Sequence, residues 1–201
     1  MIHNIAAGVD AFTSNAFLVS PEARGDHAVD DRTVLVDTGA NFDAVSHLAG
    51  DVDHLDAVVI THTHPDHVGN VDAIRERFDV ETWGFDSSHE AVDNRVRDGD
   101  EVRIGTDDYR ALHTPGHAVD HLCLYAPDAG VLFAGDLVFA EGGFGRTDLP
   151  GSDRSTLVES LERVLDTVGP DLEVMHAGHG PSVVDDPLAN VERALTAAET
   201  Y

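Results

Sequence analysis

The stretch that most constrains this chain is an uninterrupted apolar segment, Ala57-Val58-Val59-Ile60, that runs straight into Thr61-His62-Thr63-His64-Pro65-Asp66-His67. A short, β-branched run without polar interruption is the pattern of a strand buried on both faces, and its C-terminal end delivers metal-binding side chains into one loop. Alternate residues of extended backbone point to the same side, so His62 and His64 can reach a single ion together. Pro65 is expected to block an ordinary helix through the motif, and the bend to turn Asp66 and His67 toward a second ion. One histidine in a loop is ordinarily a solvated side chain. H-x-H-x-D-H behind a buried strand is as specific as a paired-cysteine zinc pattern, because chance rarely sets four ligand types at that spacing.

At these residues the sequence resembles the metallo-β-lactamase superfamily, whose signature loop has this form. The resemblance implies an α/β protein with a four-layer αββα sandwich: two mixed β-sheets face to face, helices outside, and a cleft at one edge.

Length and charge bound the rest. With 201 residues, 42% of them hydrophobic, the chain is long enough for one substantial core, burying roughly 70% of its unfolded surface, and is read as a single domain over residues 1–201. Its 38 acidic residues stand against 12 basic ones, for a net charge of −26, and all the basic residues are arginine. Such a field repels nucleic acid and anionic membrane, which excludes both as partners. It also strains the folded state by self-repulsion, which high salt relieves, so the composition is read as that of a cytoplasmic protein from a salt-loaded cell. The one cysteine, Cys123, cannot form an intramolecular disulfide, and its strand-like setting in His121-Leu122-Cys123-Leu124-Tyr125 points to an inert buried thiol. No stretch has the apolar length of a membrane helix, and Met1-Ile2-His3-Asn4-Ile5-Ala6 lacks the marks of a signal peptide.

Along the chain, 15–19 and 33–36 read as strands joined by a loop over 20–32. The second strand closes on Asp37-Thr38-Gly39 before a helical stretch over 42–48. Asn70 is placed to cap a helix through Val71, Ile74 and Phe78, followed by a strand over 80–83. Turn signals at Asp98-Gly99 and Gly105-Thr106 frame hairpin arms 101–104 and 109–112, the second ending in Thr114-Pro115-Gly116-His117. Strands over 122–125 and 131–134 follow, the latter ending at Gly135-Asp136. Val34 to Gly39 and Val131 to Asp136 echo one another weakly, as two αβ halves would. Residues 142–151 read as an ordered Gly-rich loop, and Ser152 as the start of a helix burying Leu157, Leu161, Val164, Leu165 and Val168 up to Gly169-Pro170. A strand over 172–175 leads into His176-Ala177-Gly178-His179-Gly180-Pro181, and a last helix carries Leu188, Val191 and Leu195.

Carried onto these positions, the superfamily pattern implies that His62, His64 and His117 hold one metal ion and that Asp66, His67 and His179 hold another, with Asp136 bridging them. His176 competes with His179, which the family's Gly-His-Gly favours. Asp37 is implied to support the histidine loop, although a helix N-cap would call for the same residue. His121 is expected beside the ligands or on the cleft wall. His3, His27, His47, His54 and His89 lie away from other ligand types and are read as ordinary histidines, with His113 less settled. The resemblance spans the chain from about residue 12 to about 182.

Two divalent cations, zinc first with iron or manganese as alternatives, would lower the pKa of a bound water to about 7 and furnish a metal-bound hydroxide as nucleophile. Asp66 is expected to orient it or carry its proton. Gly145-Arg146-Thr147-Asp148-Leu149-Pro150-Gly151 most resembles the hydroxyacylglutathione-hydrolase branch, the type II glyoxalases, which implies a small-molecule hydroxyacyl thioester as substrate. Mononuclear-iron persulfide dioxygenases share a similar Gly-Arg-Thr-Asp segment and form the alternative. A hydrolase of another ester, a lactam or a phosphodiester is the third. Arg146 either pairs with a substrate carboxylate or braces its loop through Asp148. Full-length glyoxalases carry a larger C-terminal helical region that binds glutathione.

Overall fold

A computed structural model describes residues 1–21 and 30–200. The centre of the loop expected over 20–32, and with it His27, lies outside the described residues. The chain forms two compact units, residues 1–96 with 101–108, and residues 97–100 with 109–201.

The first unit carries a sheet of β1 (Ile2–Asn4), β2 (Phe17–Val19), β3 (Val34–Val36), β4 (Ala57–Val59), β5 (Thr82–Gly84) and β6 (Asn94–Arg95), in that spatial order. The β1–β2 and β2–β3 pairs are antiparallel and the rest are parallel. Parallel neighbours need a crossover, supplied by α1 (Ala44–Leu48) between β3 and β4, and by α2 (Pro65–Val68) and α3 (Val71–Phe78) between β4 and β5. The strand interiors are apolar because both faces are buried. On one face, Leu18, Leu35 and Val58 pack with Ala44 and Leu48 of α1 and Val71, Ile74 and Phe78 of α3. The i, i+3, i+7 spacing of the α3 residues puts them on one stripe.

Sequence expectation and structure differ locally. Pro65 starts a helix rather than blocking one: it sits at the first helical position, where no amide hydrogen is needed, and His64 before it is extended at φ −64°, ψ 145°. Asn70 precedes α3 without capping it through its side chain, which instead donates to the Thr38 carbonyl at 3.0 Å. Strand β1 and the two-residue β6 escaped notice, being too short for an apolar period.

The second sheet has the order β11-β10-β9-β8-β7, from β7 (Glu101–Ile104), β8 (Asp107–His113), β9 (Leu122–Ala126), β10 (Val131–Gly135) and β11 (Val174–Ala177). Gly105 makes the β7–β8 turn at φ 65°. In the second unit β8–β9 and β9–β10 are antiparallel and β10–β11 parallel. Leu112, Cys123, Tyr125, Leu132, Ala134 and Met175 form one core with α4 (Arg154–Val168) and α5 (Pro187–Thr200). Helix α4 begins at Arg154, two residues later than Ser152 suggested. Asp153 is its N-cap, accepting from Thr156 N, while the Ser152 hydroxyl is held by Leu149. Hydrogen bonds from Ser155 and Thr156 hold the Asp153 carboxyl down at about 2. The loop expected over 142–151 follows a 3-10 turn at Ala140–Gly142 and is tied back by a bridge between Val138 and Phe144.

Candidate metal centre

In the first unit the donors sit at the carboxyl ends of parallel strands, where α/β sheets place ligands. Strand β3 leads into Asp37, which adopts a left-handed φ of 57°. Its Oδ1 accepts the Thr61 amide at 2.8 Å. Its Oδ2 accepts the Thr61 hydroxyl at 2.8 Å and His67 Nδ1–H at 2.8 Å. The carboxylate therefore ties the end of β3 to the loop after β4, and α1 is capped by Asp43 instead. With the Nδ1–H of the fully buried His67 directed at Asp37, the lone pair sits on Nε2, which is the nitrogen able to ligate. His62 Nε2 lies 3.0 Å from His64 Nδ1, and the His62 and His67 rings are 4.0 Å apart. Donor atoms of Asp66 and His67 come within 4.8 Å of each other.

In the second unit Gly116 introduces His117 at φ 131°, where a Cβ would lie 2.4 Å from the Leu157 backbone. His117 Nδ1–H donates to the Arg146 carbonyl at 2.9 Å, again leaving Nε2 as donor atom. Close approach is possible because residue 145 is glycine: a Cβ there would meet Asp136 O at 2.0 Å and His117 Cβ at 2.9 Å. Asp136, at the end of β10, holds Oδ2 3.5 Å from His117 Nε2 and 3.5 Å from His179 Nε2. The His179 ring packs edge-on against Phe139. His121 Nε2 accepts the Asp136 amide at 2.9 Å, so this side chain touches the backbone of a candidate ligand.

Two donors bound to one tetrahedral ion at about 2.0–2.1 Å stand about 3.3 Å apart. The separations of 3.0 Å for His62–His64 and 3.5 Å for both Asp136 pairs match that spacing. Imidazole nitrogens with carboxylates are the donor set of Zn, Fe and Mn sites. The described residues thus contain His and Asp clusters able to bind a metal, and His179 belongs to one of them while His176 does not. His176 instead pairs with the Ser182 hydroxyl at 2.7 Å and stacks on Phe133, and burial pushes its pKa down to about 4.

The other predicted residues are placed as follows. Arg146 makes a bidentate pair with Asp148, 2.8 Å at both oxygens, so its side chain braces its own loop while its carbonyl holds His117. His3 pairs with Asp51, His54 with Asp56, His47 with the Ile5 carbonyl and His113 with the Val119 carbonyl. His89 Nδ1 accepts the Ala91 amide. Thr61, Thr114 and Gly145 stood in the sequence only as members of their motifs, with no role assigned to them. Only Thr61, a hydroxyl next to His62 at the strand end, carried a local signal.

Two mixed sheets with flanking helices, and histidines with carboxylates gathered at strand ends, define a metal-binding α/β sandwich protein. The chain belongs to the metallo-β-lactamase superfamily, whose family model matches residues 9–179. It is 34% identical to an uncharacterized protein of Aquifex aeolicus, covering 90% of this chain and 89% of that one. It is 36% identical to a hydroxyacylglutathione hydrolase of Chromohalobacter salexigens over 74% of this chain but 57% of the relative, so it spans little more than half of that protein. With the hydroxyacylglutathione hydrolase GloC of Haemophilus influenzae the identity is 28%, over 86% of this chain and 88% of the relative. Among solved structures, the B3 metallo-β-lactamase BLEG-1 superposes with a TM-score of 0.74 at 25% identity, covering 94% of this chain and 95% of that one. TTHA1623 in a di-iron-bound form gives 0.69 at 30% identity, over 90% and 93%. ETHE1 from Myxococcus xanthus gives 0.70 at 27%, over 94% and 86%.

Proposed function

We propose that the chain is a metal-dependent hydrolase of hydroxyacyl thioesters. It would use two divalent ions: His62, His64 and His117 on one, Asp66, His67 and His179 on the other, and Asp136 shared. The observation that carries the choice of substrate is the likeness to the Haemophilus GloC, a hydroxyacylglutathione hydrolase of which the chain covers 88%. The longer Chromohalobacter relative has the same named activity, so likeness to such hydrolases does not depend on the relative's extra length. Glutathione is therefore the first thiol carrier to test. Zinc is the expected metal, and the di-iron form of a neighbour keeps iron in view.

When bound, such ions lower the pKa of a water to about 7 and polarise an ester carbonyl. The chain's own groups supply the rest. Asp37 and the Arg146 carbonyl fix the tautomers and ring planes of His67 and His117, presenting Nε2 from each. Asp66, at the first turn of α2, orients the attacking water and takes its proton. A thiol with a pKa near about 8.5 leaves unaided, so no general acid is required. Cys123 stays out of the chemistry, since complete burial pushes its thiol up to about 12.

The deciding experiment combines elemental analysis of protein purified without added metal, thiol release from a hydroxyacylglutathione, and oxygen uptake on a persulfide. Two metal ions, thiol release and no oxygen uptake are expected. One iron with oxygen uptake would replace this reading by that of a persulfide dioxygenase.

A further inference from the structure

We propose that His121 is a positioning residue of the metal centre: as a neutral imidazole protonated on Nδ1, it grips the Asp136 backbone and sets how that carboxylate meets the ions. The inference rests on the two-metal reading above and adds to it the group that makes a shared carboxylate possible.

Register explains why a side chain is needed there. Val131, Leu132 and Phe133 of β10 pair with Ala126, Tyr125 and Leu124 of β9, and the paired residues end at Phe133. Continued in the same register, Asp136 would stand opposite His121. Beyond Phe133 two side chains from the β9 side take over what the ladder would have done. Cys123 Sγ–H donates to the Ala134 carbonyl at 3.4 Å, and His121 Nε2 accepts Asp136 N–H at 2.9 Å. On the parallel side the β10–β11 register shifts between Phe133 and Gly135, so regular pairing lapses there as well.

The tautomer follows from the partners. An amide can only donate, so Nε2 must carry the lone pair and the ring proton must sit on Nδ1. Nδ1–H then donates to Thr114 Oγ1 at 2.8 Å. The Thr114 amide in turn donates to the His121 carbonyl at 2.9 Å, which clamps both ends of the residue. His121 and Thr114 are completely buried, so the ring has no water to trade these bonds for. Asp136 hangs from this clamp, with Oδ2 at 3.5 Å from two histidine donors. A displacement of its backbone would move the carboxylate relative to both.

Cobalt(II) is the probe, titrated by calorimetry and read by electron paramagnetic resonance, because a carboxylate shared by two ions couples their spins. Wild type is expected to take two Co(II) ions with coupling. His121→Phe keeps a ring and removes the acceptor. It should bind the second ion roughly 10–100-fold more weakly and lose the coupling, as changes behind metal ligands do. His121→Gln, whose Oε1 can accept the Asp136 amide, should restore most of both. A wild-type chain that binds no metal overturns the two-metal reading and this inference together. Two coupled ions in wild type and equally in His121→Phe, or a Gln variant as impaired as Phe, overturns the inference alone. Should His121→Phe fail to fold, long-range proton–nitrogen NMR of the wild type decides. A neutral Nδ1-protonated ring beside a slowly exchanging Asp136 amide supports the proposal, and an Nε2-protonated ring overturns it.

Discussion

Asp136 and His54 are the two ends of a scale of consequence for a single side chain. The first is buried with its carboxylate beside two imidazoles, and the second is exposed beside Asp56. On the proposed centre, Asp136→Ala loses bound metal and thioesterase activity together, by more than the roughly 10–100-fold of a change behind the ligands. His54→Ala keeps both near wild type. Metal analysis and rate assays on the same preparations check the pair, and equal losses from the two would remove Asp136 from its bridging place. His176 offers a pH test. Burial holds its folded pKa near 4, below the unfolded value of 6.5, so the unfolded chain takes up the proton first as pH falls. Stability is therefore full above pH 6.5 and declines between 6.5 and about 4. His176→Phe, which keeps a ring on Phe133, should flatten that decline in thermal midpoints measured on metal-free protein. Histidines at strand ends were legible in sequence because the strand and its donors are contiguous. Thr114 and Gly145 were not, since their partners His121, His117 and Asp136 come from other segments of the chain.

Elements show the same divide between local and distant causes. The buried strands β3, β4, β9 and β10 and the amphipathic α3 and α4 announce themselves by apolar period and length. Helix α2 did not, because a proline was read as a breaker where its missing amide hydrogen and fixed φ suit a helix start. The Gly145–Gly151 segment read correctly as a loop, but its work as a clamp is set by packing. Gly145 lies against Asp136 and His117, and the Arg146 carbonyl takes the His117 proton. Gly145→Ala should therefore be severe for so small a change. The new methyl would meet a backbone oxygen, which cannot swing aside as a side-chain tip can, and overpacking of this kind costs about 1–3 kcal/mol or more. A lowered thermal midpoint with weakened metal uptake is the expected result, and an alanine variant equal to wild type in both would show that the loop does not hold the ligands.

At the scale of the whole molecule, charge is the dominant unexplained property. Each unit has its own apolar core, yet the chain carries 38 acidic residues against 12 arginines. Ion pairs such as Arg163–Asp98 and Arg75–Asp93 each consume one arginine with one carboxylate and so leave the net charge of −26 unchanged. The self-repulsion reaches about 10 Å in 0.1 M salt and about 3 Å at 1 M, so screening alone should raise stability mostly below 1 M. Bound metal would confuse the comparison, because ions that bind only the folded chain stabilise it by mass action and are lost as it loosens. The measurement therefore uses metal-saturated protein in KCl from roughly 0.1 M to 3 M, with the thermal midpoint as readout. We expect the midpoint to climb across the range. A rise that continues past about 1 M cannot come from screening, which is by then nearly complete, and would assign the further gain to hydration of the carboxylate surface or to salt-strengthened apolar burial. A midpoint that is flat or falls throughout would show that the acidic, lysine-free composition does not adapt the folded state to salt, and its cause would have to be sought outside stability.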